Sequence, residues 1–359
     1  MTTNIGKFFC IAPFTQITFG PSGGYSPCAE IGGRPWKDPT VDIVKMWTSN
    51  EFDELRNSFL NNEKNTICNR CWSHEEDGNP SLRKRLLTGG SKRRFNKGEL
   101  VPFLESGYQA GPSQINIMVG NICNLRCRIC GPGCSSTYRV EGEYYKNKYN
   151  LTNYADKRKN PIRLSSDNID QIFNLGKNLE RIEFYGGEPL LDVPTLLLLE
   201  KLIASGQNKN ITLFYNTNGT VEPTKKHYEL WNQFKGIEFN FSIDDIEERY
   251  TYNRHPGNWN ELLTNIHDIR SHTWMVPTTF SAICSISNLN IFYLPELLNA
   301  VEDLELPYFL NTVHGPAYYE ITVLPQAIKE KVVEKLKTYK DISKIQFLIN
   351  MLYNPENQK

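Results

Sequence analysis

The sequence carries no net charge: lysine plus arginine and aspartate plus glutamate number 40 each in 359 residues. That balance gives no support to a general binder of nucleic acid or membrane surfaces. No apolar run approaches the length of a membrane span. The N-terminus, MTTNIGKFFCIAPF, lacks a charged start, a long apolar stretch and a small-residue cleavage site, so no signal peptide is expected. No internal repeat, low-complexity segment, Walker loop or dinucleotide GxGxxG motif occurs. The six histidines (His74, His227, His255, His267, His272 and His314) make no metal-spaced pair. These absences leave a chain expected in the cytoplasm, long enough for one large domain or two unequal ones. In that reducing compartment its nine cysteines are better explained by metal than by disulfides.

The cysteines are grouped. Cys10, Cys28, Cys68 and Cys71 fall in the first fifth, Cys123, Cys127, Cys130 and Cys134 form a second set, and Cys284 stands alone. Two groups imply two sites. In the second, CNLRCRIC (123–130) puts three thiols on one short segment. Soft thiolates select zinc, copper(I) or iron–sulfur clusters. A structural zinc site wants four closed ligands, commonly as two separated pairs, which this pattern is not. Three thiolates on a four-iron cluster leave the fourth iron open, as a catalytic metal requires. Cys134, after Gly131-Pro132-Gly133, would close that position, so it is read as a nearby unliganded thiol. Cys284, inside a strand candidate, is read as a buried free cysteine.

From about residue 112, apolar runs alternate with amphipathic or capped stretches. The strand candidates are 114–120, 181–187, 211–219, 237–245, 278–287 and 307–315. The intervening helical candidates include 165–176, 194–206, 223–234, 258–269 and 289–302. This pattern predicts an α/β fold with a parallel sheet and helices outside, an open barrel or a doubly wound sheet. Several strand candidates end in site-like residues: Gly186-Gly187-Glu188, Asn216-Thr217-Asn218-Gly219 and Ser242-Ile243-Asp244-Asp245. Such ends are where βα folds place active sites. The first hundred residues differ, with Gly, Pro and Ser clusters, a short strand at 14–20 and one helix near 41–62. The basic stretch 82–98 is read as a solvated linker.

Cys123-x3-Cys127-x2-Cys130 resembles the cluster-binding motif of radical S-adenosylmethionine (SAM) enzymes. Phe184-Tyr185-Gly186-Gly187-Glu188-Pro189 resembles their GGE motif, Asn216-Thr217-Asn218-Gly219 their third-strand ending, and Phe241-Ser242-Ile243-Asp244 with Tyr252-Asn253-Arg254 a frequent fourth-strand pattern. The resemblance covers roughly residues 112–320. It implies a partial (β/α)6 TIM-type barrel over 112–322, a [4Fe–4S] cluster on Cys123, Cys127 and Cys130, and SAM on its open iron. Gly186, Gly187 and Glu188 would then serve the methionine amino group. Asn216 would join the cofactor site, Ser242 and Asp244 would lie near the ribose, and Arg254 would reach the methionine carboxylate. Ile129 departs from the family, which often has an aromatic residue before the third cysteine.

Cys10, Cys28 and Cys68-x2-Cys71, with Gly23, are similar to the auxiliary-cluster modules of this superfamily, the twitch and SPASM domains. Here the module, over 1–98 with its basic linker, precedes the barrel instead of following it. The resemblance implies a second [4Fe–4S] cluster with four cysteine ligands. A four-cysteine zinc site and a redox pair at Cys68 and Cys71 remain the alternatives. Residues 323–359 read as helices without cysteine, so no further cluster is expected after the barrel. The expected function is reductive cleavage of SAM and hydrogen abstraction from a peptide or protein side chain. Alternatives are the same chemistry on a sugar or nucleoside, or a non-enzymatic iron–sulfur or zinc protein. An external electron donor such as flavodoxin or ferredoxin is implied, with no nucleic-acid or membrane partner.

Overall fold

The computed structural model describes residues 6–21, 24–31, 36–37, 42–79, 81–88, 104, 107–151 and 161–353. Residues 89–98 of the basic stretch and Gly23 lie outside the described residues. The chain forms two compact units, one of Met1–Val119, Leu164–Phe184 and Pro194–Leu213, the other of Gly120–Arg163, Tyr185–Val193 and Phe214–Lys359.

In the first unit, β1 (Gln16–Gly20), β2 (Gly24–Ser26) and β3 (Trp36–Lys37) form an antiparallel meander. β1 also pairs in parallel with β4 (Gln114–Met118), Gln16 opposite Gln114. The order continues through β5 (Arg181–Tyr185) to β6 (Thr212–Thr217), two strands that begin in this unit and end in the other. The strand expected at 14–20 therefore starts at Gln16. Ahead of it Ala12–Thr15 is a helical turn with Pro13 at its start, where a missing N–H costs nothing. The single helix expected over 41–62 is two, Ile43–Trp47 and Asn50–Leu60. Each has its own N-cap: Asp42 accepts from Lys45 N at 2.7 Å and Ser49 from Phe52 N at 3.5 Å.

In the second unit, β6 is followed by β7 (Gly236–Ser242), β8 (Thr278–Ile286) and β9 (Tyr308–Thr312). β7, β8 and β9 are parallel, with Asn240 opposite Ser281 and Ser285 opposite Asn311. The helices Lys225–Trp231, Trp259–Ser271 and Leu294–Asp303 fall between the strands in sequence. Period-two alternation separates the two faces of the strands. Ile237, Phe239, Phe241, Ala282, Cys284 and Ile286 are all fully buried. Phe239 packs on Trp231 at 5.2 Å and on Trp274 at 5.6 Å, and each such ring contributes about 1.5–3 kcal/mol by leaving water. Cys284 is thus the buried strand cysteine expected. Glu238, Asn240, Ser242, Ser281 and Ser285 take the opposite face.

The six expected strands are β4 to β9, and the fold is mixed α/β. Among the described residues β3 and β9 each have one strand neighbour, so the strand order does not close into a barrel. The helices Gln326–Leu336 and Gln346–Tyr353 bear out the helical reading of the C-terminal segment. No helix among the described residues is long and apolar enough to cross a membrane.

Candidate active site and cysteine pocket

The CNLRCRIC segment is neither helix nor strand, and its shape is imposed by neighbours on both sides. On one side Gly187 N donates to Gly120 O at 3.0 Å and Glu188 N to Ile122 O at 2.7 Å. That approach requires glycine: a Cβ on Gly187 would stand 2.1 Å from Ile122 O. Gly186, at φ 131°, occupies backbone space that side chains disfavour. On the other side Arg126 N donates to His255 O at 2.5 Å and Arg128 N to Asn253 O at 2.8 Å. Ser135 and Thr137 donate to Leu125 O at 2.6 and 3.0 Å, and the Tyr138 hydroxyl donates to Cys127 O.

Cys127 is buried, Cys123 half-buried and Cys130 exposed. Polar N–H groups face the sulfurs. Leu125 N is 3.4 Å and Asn218 Nδ2 3.8 Å from Cys123 Sγ, and Arg254 Nη1 is 3.9 Å from Cys127 Sγ. The Cys127 thiol is held below its ordinary value, first by the hydrogen bond from Cys130 and then by the Arg254 charge. Cys134 sits at the surface in the turn after Cys130, its N–H donating to Gly131 O at 2.9 Å.

Glu188 is fully buried. It accepts from Leu190 N at 3.1 Å, Thr217 Oγ1 at 2.8 Å and Asn218 N at 2.7 Å. Burial nevertheless raises its carboxyl to about 7, because desolvation outweighs these donors. Its carboxylate therefore ties the GGE loop to the end of β6. Asp244 and Arg254 form a buried ion pair at 2.7 Å. Burial works against the Arg254 charge, yet Asp244 and Cys127 together hold it above its ordinary range. Asp244 also accepts from Ser285 N at 2.7 Å, and Asn290 Nδ2 donates to Asp244 O at 2.6 Å.

The expected residues Cys123, Cys127, Gly187, Glu188, Asp244 and Arg254 are thus joined through direct contacts or shared partners. Asn216 lies two residues back along β6, where its Oδ1 accepts from Asn240 Nδ2 at 2.8 Å. Ser242 lies on the same face of β7 as Asn240. His255 contributes its carbonyl to the loop, ahead of a cis bond to Pro256. Sequence reasoning placed Asn218 in a site-like strand ending without a role, and missed Tyr138, Asn240, Ser281 and Asn290. The alternation Phe239-Asn240-Phe241-Ser242 was the readable signal for Asn240; the others touch the site only through long-range packing.

The first unit holds its own cysteine site. Cys10, Cys28, Cys68 and Cys71 line one pocket, with about 370 Å³ of empty space including its open mouth. Burial pushes all four thiols up, Cys68 to about 12. Arg83 also lines this pocket and staples its walls. Arg83 donates to Glu75 through Nε at 2.9 Å and Nη2, to Lys7 O at 3.0 Å and to Phe9 O at 2.9 Å. It lies 4.8 Å over the Trp72 ring. Glu30, two residues past Cys28, pairs with Arg70 at 3.1 Å, between Cys68 and Cys71. Among the described residues, no group of three or more His, Cys, Asp and Glu side chains is placed to hold a single metal ion. A four-iron cluster puts each thiolate on a different iron, so its ligands stand farther apart than those of one ion.

A family model described as the radical SAM superfamily matches residues 117–301. The chain belongs to the radical SAM superfamily. It is therefore an enzyme whose family implies a [4Fe–4S] cluster and SAM. The residues fit those groups: three soft thiols, N–H donors and a cation at their sulfurs, and a buried carboxylate and guanidinium beside them. Among curated proteins, the GTP 3',8-cyclase of Alkaliphilus metalliredigens (strain QYMF) is 24% identical over 168 residues, 46% of this chain and 45% of that protein. This radical SAM chain thus matches under half the length of that relative. Among solved structures, anSMEcpe with bound AdoMet is 17% identical with a TM-score of 0.45, over 66% of this chain and 61% of that one. Streptococcus suis SuiB bound to precursor peptide SuiA is 12% identical with a TM-score of 0.42, over 78% and 60%.

Proposed function

We propose that Cys123, Cys127 and Cys130 hold a [4Fe–4S] cluster, that SAM binds its open iron, and that the enzyme takes hydrogen from a peptide or protein side chain. When bound, the reduced cluster and SAM supply a 5′-deoxyadenosyl radical for that abstraction. The observation that carries the reading is the convergence on Cys127 and Cys123 of Arg254, Asn218 and, through Asn218, Glu188. Arg254, held by Asp244, would bind the methionine carboxylate. Glu188, once ionised, would attract the ammonium group, and Gly186 and Gly187 let the backbone approach it. Ser242 and Asp244 would face the ribose. The tie from Glu188 to the β6 end fixes the side of the pocket that Asn216 would complete.

Cys10, Cys28, Cys68 and Cys71 would ligate a second [4Fe–4S] cluster in a twitch- or SPASM-like module. Four soft thiols in one pocket, in a protein whose family uses clusters, support iron–sulfur over zinc. The electron for the first cluster would come from an external donor such as flavodoxin or ferredoxin. The peptide reading follows from the use of auxiliary-cluster modules in peptide-modifying relatives. The likeness to a GTP 3',8-cyclase favours a second reading, the same chemistry on a nucleotide.

The test is anaerobic. Reconstituted protein with strong reductant and SAM is expected to form 5′-deoxyadenosine. Fully iron-loaded protein that forms none, and whose electron-spin spectrum ignores SAM, would refute the reading.

A further inference from the structure

The strand order ends at β9, which has β8 as its one strand neighbour among the described residues. A residue in a strand turns its N–H and C=O to the same side, and successive residues alternate sides. Ala282 N donates to Pro307 O at 2.8 Å and Val313 N to Ile286 O at 2.9 Å. Ala282 lies opposite Tyr308 and Ile286 opposite Thr312, so Phe309 and Asn311 also turn their backbone toward β8. Tyr308, Leu310 and Thr312 turn theirs outward. Their N–H and C=O groups have no hydrogen-bond partner among the described residues.

Native sheets blunt such an edge with a charge, a proline or a bulge. β9 reads Tyr-Phe-Leu-Asn-Thr, and its register against β8 is unbroken from Tyr308 to Thr312, so it has none of the three. The strand is also held still. The Tyr308 and Tyr339 hydroxyls lie 2.8 Å apart, and Tyr339 donates to Glu302 at 2.6 Å. Outward N–H and C=O groups on a fixed, uncharged strand are a template for one further strand. An added strand would lie two strand spacings, about 10 Å, from β8. On β8, Ser285, opposite Asn311, donates its N–H to Asp244, the partner of Arg254 beside Cys127. Alternate side chains of the added strand would fall on the face that Phe309, 51% exposed, shares with Ser285.

We propose that the outer edge of β9 binds the substrate as an extended peptide, added as a further strand through the backbone of Tyr308, Leu310 and Thr312. This rests on the radical SAM reading above and takes its peptide branch: a nucleotide has no alternating row of N–H and C=O groups to match this edge. A second copy of this chain would also present such a row, and the test separates it. The alternation makes the test chemical. Leu310→Pro removes one outward N–H and no bond to β8, the one kind of strand position that tolerates proline.

The experiment is residue-resolved hydrogen–deuterium exchange on the reconstituted full chain with SAM and no reductant. The probe is N-acetyl-Thr-Val-Phe-Val-Thr-amide at millimolar concentration, and the control is the same peptide with every backbone nitrogen methylated. Exchange at Tyr308 and Leu310 is expected to slow about tenfold or more with the probe, to stay unchanged at Phe309 and Asn311, and to ignore the control. In Leu310→Pro the protection at Tyr308 should be lost. Absence of protection in wild type, equal protection by the methylated peptide, or protection of Tyr308 that survives in Leu310→Pro overturns the proposal. So does protection without peptide that grows with protein concentration, which would assign the edge to a second copy. Should Leu310→Pro melt far below wild type, the methylated control decides alone. 5′-Deoxyadenosine formation by wild type is scored separately, so failure of the radical reading and failure of the peptide edge give different results.

Discussion

Cys127 and Cys28 are nearly equally buried, at 6% and 7% exposure, yet their thiols are driven in opposite directions. Cys127 is lowered, by the hydrogen bond from Cys130 and by Arg254. Cys28 is raised, by desolvation, the neighbouring thiols Cys10 and Cys71, and the Glu30 carboxylate. Burial alone therefore does not set thiol chemistry; the hydrogen bond and charge beside the Cys127 sulfur outweigh it, while Cys123 and Cys130 of the same loop are raised as the pocket thiols are. The loop around Cys127 offers N–H donors and a cation before any metal arrives. The first-unit pocket offers apolar walls and cations already tied to Glu75 and Glu30, so a metal must itself displace the thiol protons. On the proposed function, one set keeps a position open and the other is filled.

The largest effect that tests this contrast is Cys127→Ala. It is expected to reduce 5′-deoxyadenosine formation to the no-enzyme background and to remove only the iron of one cluster; an unchanged iron content would break the two-site account. Next comes Arg83→Met, which leaves the nearly buried Glu75 without its main partner at a cost of about 3–5 kcal/mol. Its melting temperature should fall and its iron drop by one cluster, while the SAM-dependent spectrum of the remaining cluster persists. Loss of both clusters together would mean that the two regions are not independent.

A pH effect of intermediate size follows from Glu188. Its carboxyl is raised from 4.5 to about 7 in the folded chain. Between those values the folded state holds a proton that the unfolded state has released, so stability falls as pH rises from about 4.5 to about 7. The contribution is on the order of 3 kcal/mol. Urea unfolding of cluster-free protein across that range should show the slope, and Glu188→Gln should flatten it. The smallest expected change is Gly187→Ala, where a Cβ 2.1 Å from Ile122 O forces the two loops apart at roughly 1–3 kcal/mol. SAM affinity should fall while iron in the first-unit pocket stays constant.

Much of this was readable before the structure because the signals are local. The strands β4 to β9 announce themselves by apolar alternation, and Cys123, Cys127 and Cys130 by spacing. Other features have no local signature. Nothing near Gln16 states that β1 will run parallel to β4, because partner choice between distant strands leaves no short pattern. The Arg83 staple joins Lys7, Phe9 and Glu75 across separate segments, and its basic neighbours made it look like part of a solvated linker. The break at Ser49 was hidden because apolar periodicity runs through it, while the cap that restarts the helix is a single hydroxyl. Glu188 was legible as a candidate site residue, but its engagement with Thr217 and Asn218 was not.

The most direct test of the contrast is the electron-spin spectrum of reduced Cys28→Ala protein, recorded with and without SAM. The account predicts iron for one cluster and a signal that SAM reshapes, because the set that keeps an open position is intact. A signal indifferent to SAM, in protein that retains that iron, would contradict it.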